Sequence, residues 1–246
     1  MLSKSRTRAT AVAVAVFALS CTRLKPWQNE PIGNEVNLAF TLKRNLIELQ
    51  SVRLDNRSGI FLLATATPRT AIDRSFGNGQ ARTLQMGDKN SVRIDPLAVD
   101  LRGVADAIIG AEAWAKHSIT IDYRAGVVTY QKYAMEPADM TLYHYRNEPA
   151  VNITVDGKTF AAIVDTSSPD TLVLPRATAG RGTADVQLAG LDLGTIDVAY
   201  ANVARPRIGN RLLSRFLVTI DYGRGVVGLW ADPRMSLRVV QASSRD

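Results

Sequence analysis

The feature that most constrains this chain is that it repeats itself. Val52-Arg-Leu-Asp55 lines up with Ile153-Thr-Val-Asp156, and Leu62-Leu-Ala-Thr-Ala-Thr-Pro-Arg-Thr70 lines up without a gap with Ile163-Val-Asp-Thr-Ser-Ser-Pro-Asp-Thr171, at an offset of 101. Further on, Ile109-Gly110 matches Ile208-Gly209, and Thr120-Ile-Asp-Tyr-Arg-Ala-Gly-Val-Val128 matches Thr219-Ile-Asp-Tyr-Gly-Arg-Gly-Val-Val227, at an offset of 99. Internal similarity of this kind says that one folding unit is used twice. The sequence therefore predicts two similar units, residues 51–134 and residues 150–232, rather than one irregular domain.

Within each unit the pattern is that of short strands. Hydrophobic residues alternate in Val52-x-Leu54 and in Val151-x-Ile153-x-Val155, and short apolar runs occur at 60–63 and 161–164. Turn-forming residues punctuate them at 56–59, Asp156-Gly157, Gly77-Asn78-Gly79 and 223–225. No long helical periodicity is present, so the expectation is an all-β protein with two short helices. With 46% apolar residues the chain can bury a real core. Residues 135–149, polar and turn-rich, read as the linker between units. Residues 22–50 read as an N-terminal segment that adds a leading strand, and residues 233–246 as a polar tail.

Residues 1–21 have the form of an export signal: Lys4, Arg6 and Arg8 precede a small apolar run that ends at Ala18-Leu19-Ser20-Cys21. The run is about half the roughly 20 residues a membrane-crossing helix needs. Cys21 is the only cysteine. It stands where a bacterial lipobox places the cysteine that is acylated, while Ala18-Leu19-Ser20 also fits ordinary signal-peptidase cleavage. Both readings put the protein in the periplasm, the first of them anchored to an envelope membrane. A lone cysteine excludes an intramolecular disulfide. The formal charge of +7 includes the three cations of the leader, and the scattered arginines lack interleaved aromatics, which argues against nucleic-acid binding.

The order of features in each unit resembles the retropepsin-like (pepsin-family) aspartic peptidases: a hairpin, an apolar strand ending in an Asp-Thr-Gly turn, a later apolar-apolar-Gly crossing loop, a short helix and a closing strand pair. The residues that carry it are Val164-Asp165-Thr166-Ser167-Ser168-Pro169 and Ile208-Gly209-Asn210, then 216–222 with Asp221-Tyr222, and their first-unit counterparts, from about Val52 to Trp230. The resemblance implies a bilobal fold of two β-barrel-like halves, an interlobe cleft for an extended peptide or protein partner, and no cofactor. It implies Asp165 as a catalytic carboxylate and Gly110 and Gly209 as the crossing-loop glycines. Thr65 and Thr166 are implied to hydrogen-bond across to the opposite loop, and Thr67 and Ser168 to offer a hydroxyl to a carboxylate.

An aspartic peptidase needs two carboxylates sharing one proton, one to take a proton from water and one to donate to the scissile carbonyl. Here the first unit reads Ala64-Thr65-Ala66-Thr67, and Ala64 cannot accept a proton. The family's glycine is also replaced, by Ala66 and Ser167, where a side chain could restrict close backbone approach. Arg207 replaces an apolar crossing-loop residue that the first unit keeps as Ile108; near Asp165 it would favour the charged carboxylate, although a solvated loop charge is the plainer role. Three functions follow as expectations: a protein with an incomplete dyad, non-catalytic or weakly active, that binds an extended peptide or partner; an active aspartic endopeptidase taking its second acid from a dimer partner or from another loop, for instance Asp73 or Asp106; or a structural role in the envelope in which the cleft does nothing. The oligomeric state stays open between them. His117 and His144, the only histidines, have no ligand partners at metal-binding spacing. The repeated Asp122-Tyr123 and Asp221-Tyr222 read as structural pairs before hairpin turns.

Overall fold

A computed structural model describes residues 35–88, 90–132 and 139–231, and nearly all of their regular structure is strand. The leader with Cys21 and the tail 233–246 lie outside the described residues. The N-terminal part contributes β1 (Val36–Lys43), β2 (Leu46–Leu49), β3 (Val52–Leu54), β4 (Phe61–Leu63), β5 (Ala71–Asp73), β6 (Arg82–Met86), β7 (Asn90–Ile94), β8 (Leu97–Val99), β9 (Ala107–Ile109), β10 (Ser118–Asp122) and β11 (Val127–Gln131). The C-terminal part contributes β12 (Thr141–His144), β13 (Ala150–Val155), β14 (Lys158–Val164), β15 (Leu172–Pro175), β16 (Gly180–Leu188), β17 (Leu191–Ala201), β18 (Arg207–Ile208), β19 (Phe216–Asp221) and β20 (Val226–Ala231). A 3-10 turn, Ala111–Trp114, follows β9, and one helical turn, Asn210–Leu213, follows β18. The described residues are all-β, as their short alternating runs predict.

The two parts share their unusual connections. β4 runs parallel to β9 with Leu62 beside Ile108, and β14 runs parallel to β18 with Ile163 beside Arg207. β5 is antiparallel to β9 and parallel to β8, just as β15 is antiparallel to β18 and parallel to β17. They differ in closure. In the second part β13 is continuous and six strands close a barrel, whereas in the first the equivalent run is broken between Leu49 and Val52, so that β3, β6 and β7 form a separate three-stranded sheet.

The parts are joined by β10 and β19, which pair antiparallel with Thr120 opposite Thr219. Those threonines are each other's counterparts in the repeat, so the register is unchanged when the units are exchanged, and a local two-fold passes between them. Their hydroxyl oxygens lie 3.1 Å apart. Around this pair Ile119, Ile121, Val218 and Ile220 are fully buried in a core continuous through both parts. The result is a single 11-stranded sheet.

Residues 135–149 are not all connection. Thr141–His144 forms β12, which pairs with β20 from Thr141 opposite Leu229 to His144 opposite Val226. Its alternation is short and polar at both ends, and its partner strand lies far along the chain, so the segment carries little strand signal of its own.

Candidate functional site

β4 leads into Ala64-Thr65-Ala66-Thr67 and β14 into Asp165-Thr166-Ser167-Ser168, and the two turns are held in the same way. Ala64 N–H donates to Ile109 O at 2.9 Å, and Asp165 N–H to Ile208 O at 2.9 Å. Ala111 N–H reaches Thr67 O at 2.7 Å, and Asn210 N–H reaches Ser168 O at 2.9 Å. Gly110 and Gly209 let the crossing loops come this close: a Cβ at Gly110 would sit 2.5 Å from the carbonyl carbon of Arg69, and one at Gly209 would sit 2.3 Å from Asp170 O.

Across the two-fold the threonines interlock. Thr65 Oγ1 donates to Val164 O at 2.7 Å and accepts Thr166 N–H at 3.1 Å; Thr166 Oγ1 donates to Leu63 O at 2.8 Å and accepts Thr65 N–H at 3.0 Å. Thr65, Thr166 and Ala64 are fully buried, and Ala66 nearly so. Residues 64 and 165, which immediately precede the interlocked threonines, therefore occupy equivalent positions beside the axis, one an alanine and the other an acid.

Asp165 is 1% exposed. Its Oδ1 accepts Ser167 N–H at 3.0 Å and Ser167 Oγ–H at 2.5 Å, and its Oδ2 accepts Arg207 Nη1–H at 2.8 Å. The hydroxyl on the carboxylate is thus that of Ser167, at the glycine position, and not that of Ser168. Arg207 is not the solvated loop charge expected from its place in a loop: its side chain is 15% exposed and paired with the acid. The reason is the parallel β14–β18 register, which sets Arg207 beside Ile163, two residues before Asp165.

The other acids considered for the vacancy at position 64 are committed elsewhere. Asp73 accepts Ser75 N–H and Oγ–H on one oxygen and Leu101 N–H on the other, and Asp106 accepts Ile60 N–H. His117 is half-buried against Tyr130, ring centroids 5.0 Å apart, and His144 is exposed on β12. Among the described residues no group of three His, Cys, Asp or Glu side chains could hold a metal ion. A pocket of about 560 Å³, lined by Thr154, Gly157, Asp185, Val186, Gln187, Asp192 and Gly194, opens at the opposite end of β14 from Asp165.

Sequence reasoning placed Asn210 in the crossing-loop run but assigned it no role. Fully buried, it donates from Nδ2 to Thr166 O at 2.6 Å and to Asn45 O at 2.7 Å, and it accepts the Tyr123 hydroxyl on Oδ1 at 2.8 Å. Tyr222, the repeat partner of Tyr123, donates to Thr65 O at 3.1 Å. Each tyrosine therefore serves the turn of the other unit, while Asp122 and Asp221 accept N–H groups of their own hairpin turns. The only signal in the sequence was the repetition of Asp-Tyr itself.

Comparison with protein-family models and with curated protein sequences finds no match for this chain.

Proposed function

We propose that this chain is an aspartic-peptidase-like protein with two halves of pepsin or retropepsin type, and that it binds an extended peptide or a protein segment between them without cleaving it. One observation carries the reading: Asp165 stands opposite Ala64 with both carboxylate oxygens engaged, by Ser167 and Arg207. Acid proteolysis needs two carboxyl groups sharing a proton, with free lone pairs for water. This arrangement offers one carboxylate, and each of its oxygens already accepts a hydrogen bond. What is kept is the framework: the threonine interlock and the close-packed crossing loops, which hold two units at a fixed separation. Such a framework suits recognition by strand addition and side-chain pockets.

The alternative, an active endopeptidase using Asp165 with a second acid from a dimer partner, meets a physical obstacle. The surface a partner would need is filled by the chain's own first unit through four buried hydrogen bonds. Export and lipidation at Cys21 belong to the same proposal and rest on the leader sequence. Globomycin, which blocks lipoprotein maturation, should then leave the precursor uncleaved, and a mature N-terminus without acyl chains would mean a freely soluble periplasmic protein.

The decisive assay incubates purified mature protein with a mixed-sequence peptide pool between about pH 3 and 6, where such dyads operate. The expected outcome is a pool recovered intact, with a subset of peptides retained on the protein. Peptide cleavage that Asp165→Asn abolishes would overturn the proposal.

A further inference from the structure

Both residues that touch the acid break the repeat, Ser167 standing where the first unit has Ala66 and Arg207 where it has Ile108, and the second of them brings a charge. Position 108 of the first unit is Ile, packed with Leu62, Leu101 and Ala105 in a small apolar cluster. Its counterpart is Arg207, which turns its guanidinium onto Asp165 Oδ2 at 2.8 Å. An exposed ion pair would mean little. This one is different, because the acid's side chain is 2% exposed and the arginine's 15%. Withdrawing two charges that far from water is unfavourable unless they face each other.

We infer that Arg207 is a positioning residue that locks Asp165, so that the site is blocked twice, once by the missing acid at position 64 and again by the arginine on the acid that remains. The inference rests on reading Asp165 as the site's surviving acid. Ser167 fixes Oδ1 through a local turn and Arg207 takes Oδ2, so each oxygen of the remaining acid already accepts a hydrogen bond. Restoring an acid at position 64 alone then leaves the site silent, and the arginine must go as well.

The lock is tested on the native protein with a small epoxide such as glycidol. A free carboxylate oxygen attacks the terminal epoxide carbon: the new C–O bond forms as the ring C–O bond breaks, and the alkoxide takes a proton from water, leaving a hydroxyalkyl ester that peptide mass spectrometry locates. Native Asp165 should stay unlabelled while exposed Asp197 reacts. Arg207→Ile should speed labelling of Asp165 by about tenfold or more, and Arg207→Lys should keep much of the protection by keeping the charge. If the isoleucine variant does not fold, Arg207→Gln reads the same loss of charge. Labelling of native Asp165 at the rate of Asp197, or labelling in folded variants no faster than native, would overturn the lock.

A second arm separates this inference from the reading beneath it. Ala64→Asp combined with Arg207→Ile should cleave peptides at acid pH at least about tenfold faster than Ala64→Asp alone, and adding Asp165→Asn should abolish that activity. Equal, measurable acid proteolysis by the single and double variants would overturn the lock and leave the proposed function standing. An inert double variant whose Asp165 labels freely would count against the proposed function and in favour of the lock.

Discussion

Thr65 and Thr166 lie 101 positions apart, yet each hydroxyl donates to the carbonyl two residues before the other and accepts the other's N–H. All of these groups are buried, so valine at either site would strand a backbone donor and a backbone acceptor. We expect Thr65→Val or Thr166→Val to cost roughly 2–4 kcal/mol, with the double variant losing less than the sum because the bonds form one network. Denaturant unfolding measures this, and a single variant as stable as the native protein would mean that the interlock does not hold the units together.

Gly110 and Gly209 have φ of −88° and −98°, open to any residue, so what they supply is space. Gly209→Ala would drive a methyl into Asp170 O and Ser168 O, and Gly110→Ala would drive one into Arg69 and Thr67. We expect each to lower stability by about 3 kcal/mol or more, or to prevent folding. The control is Gly157→Ala in the β13–β14 turn, where nothing lies within 4 Å and only the positive φ of 75° objects, at about 1 kcal/mol. Thermal melts of the three variants should rank in that order.

Asn210 ties three distant segments together, through Thr166, Asn45 and Tyr123. Burial pushes the Tyr123 phenol far above its ordinary range, so it remains a donor at any working pH. We expect Asn210→Ala to cost about 3 kcal/mol, and Tyr123→Phe about 1–2 kcal/mol by leaving Asn210 Oδ1 without its donor. Asn210→Ala should also raise amide exchange at Thr166, which hydrogen-exchange mass spectrometry reads directly.

Two buried acids should bend the pH dependence of stability in opposite directions. Burial raises the Glu112 carboxyl above its usual range, outweighing the Thr70 N–H that reaches it. Its contribution is present below the unfolded value and lost as pH rises through the folded one, so Glu112→Gln should be stabilising near pH 8 and not near about pH 4. Bonds from the Ser75 hydroxyl and N–H, and from Leu101 N–H, hold Asp73 below its usual range. Its contribution is present above the unfolded value and lost as pH falls through the folded one. Asp73→Asn should therefore be destabilising near pH 8, with a penalty that shrinks toward about pH 3. Unfolding midpoints across that range check both signs.

What could be read from the sequence was whatever the repeat wrote twice. The gapless match of 62–70 with 163–171 pointed to equivalent turns at Ala64 and Asp165, and Ile109-Gly110 with Ile208-Gly209 pointed to the crossing loops. Features present only once were invisible or misread. β12 is four residues whose partner lies near the end of the chain. Asn210 acts through groups 165 and 87 positions away, and the pairing of Arg207 with Asp165 needed the β14–β18 register. Ser167 read as a crowded glycine position because the carboxylate's rotamer, which brings the two together, is not written in the local sequence.

The seam at β10 and β19 also bears on how the protein can be prepared. These strands carry the same Thr-Ile-Asp-Tyr run and must find each other across 99 residues, while an identical run in a neighbouring molecule offers the same edge. Exchange between chains competes with closure within one, in the manner of repeat proteins that swap segments. Refolding yield is thus set by dilution, and concentrated refolding should trap entangled dimers whose cores are built correctly from the wrong pair of chains.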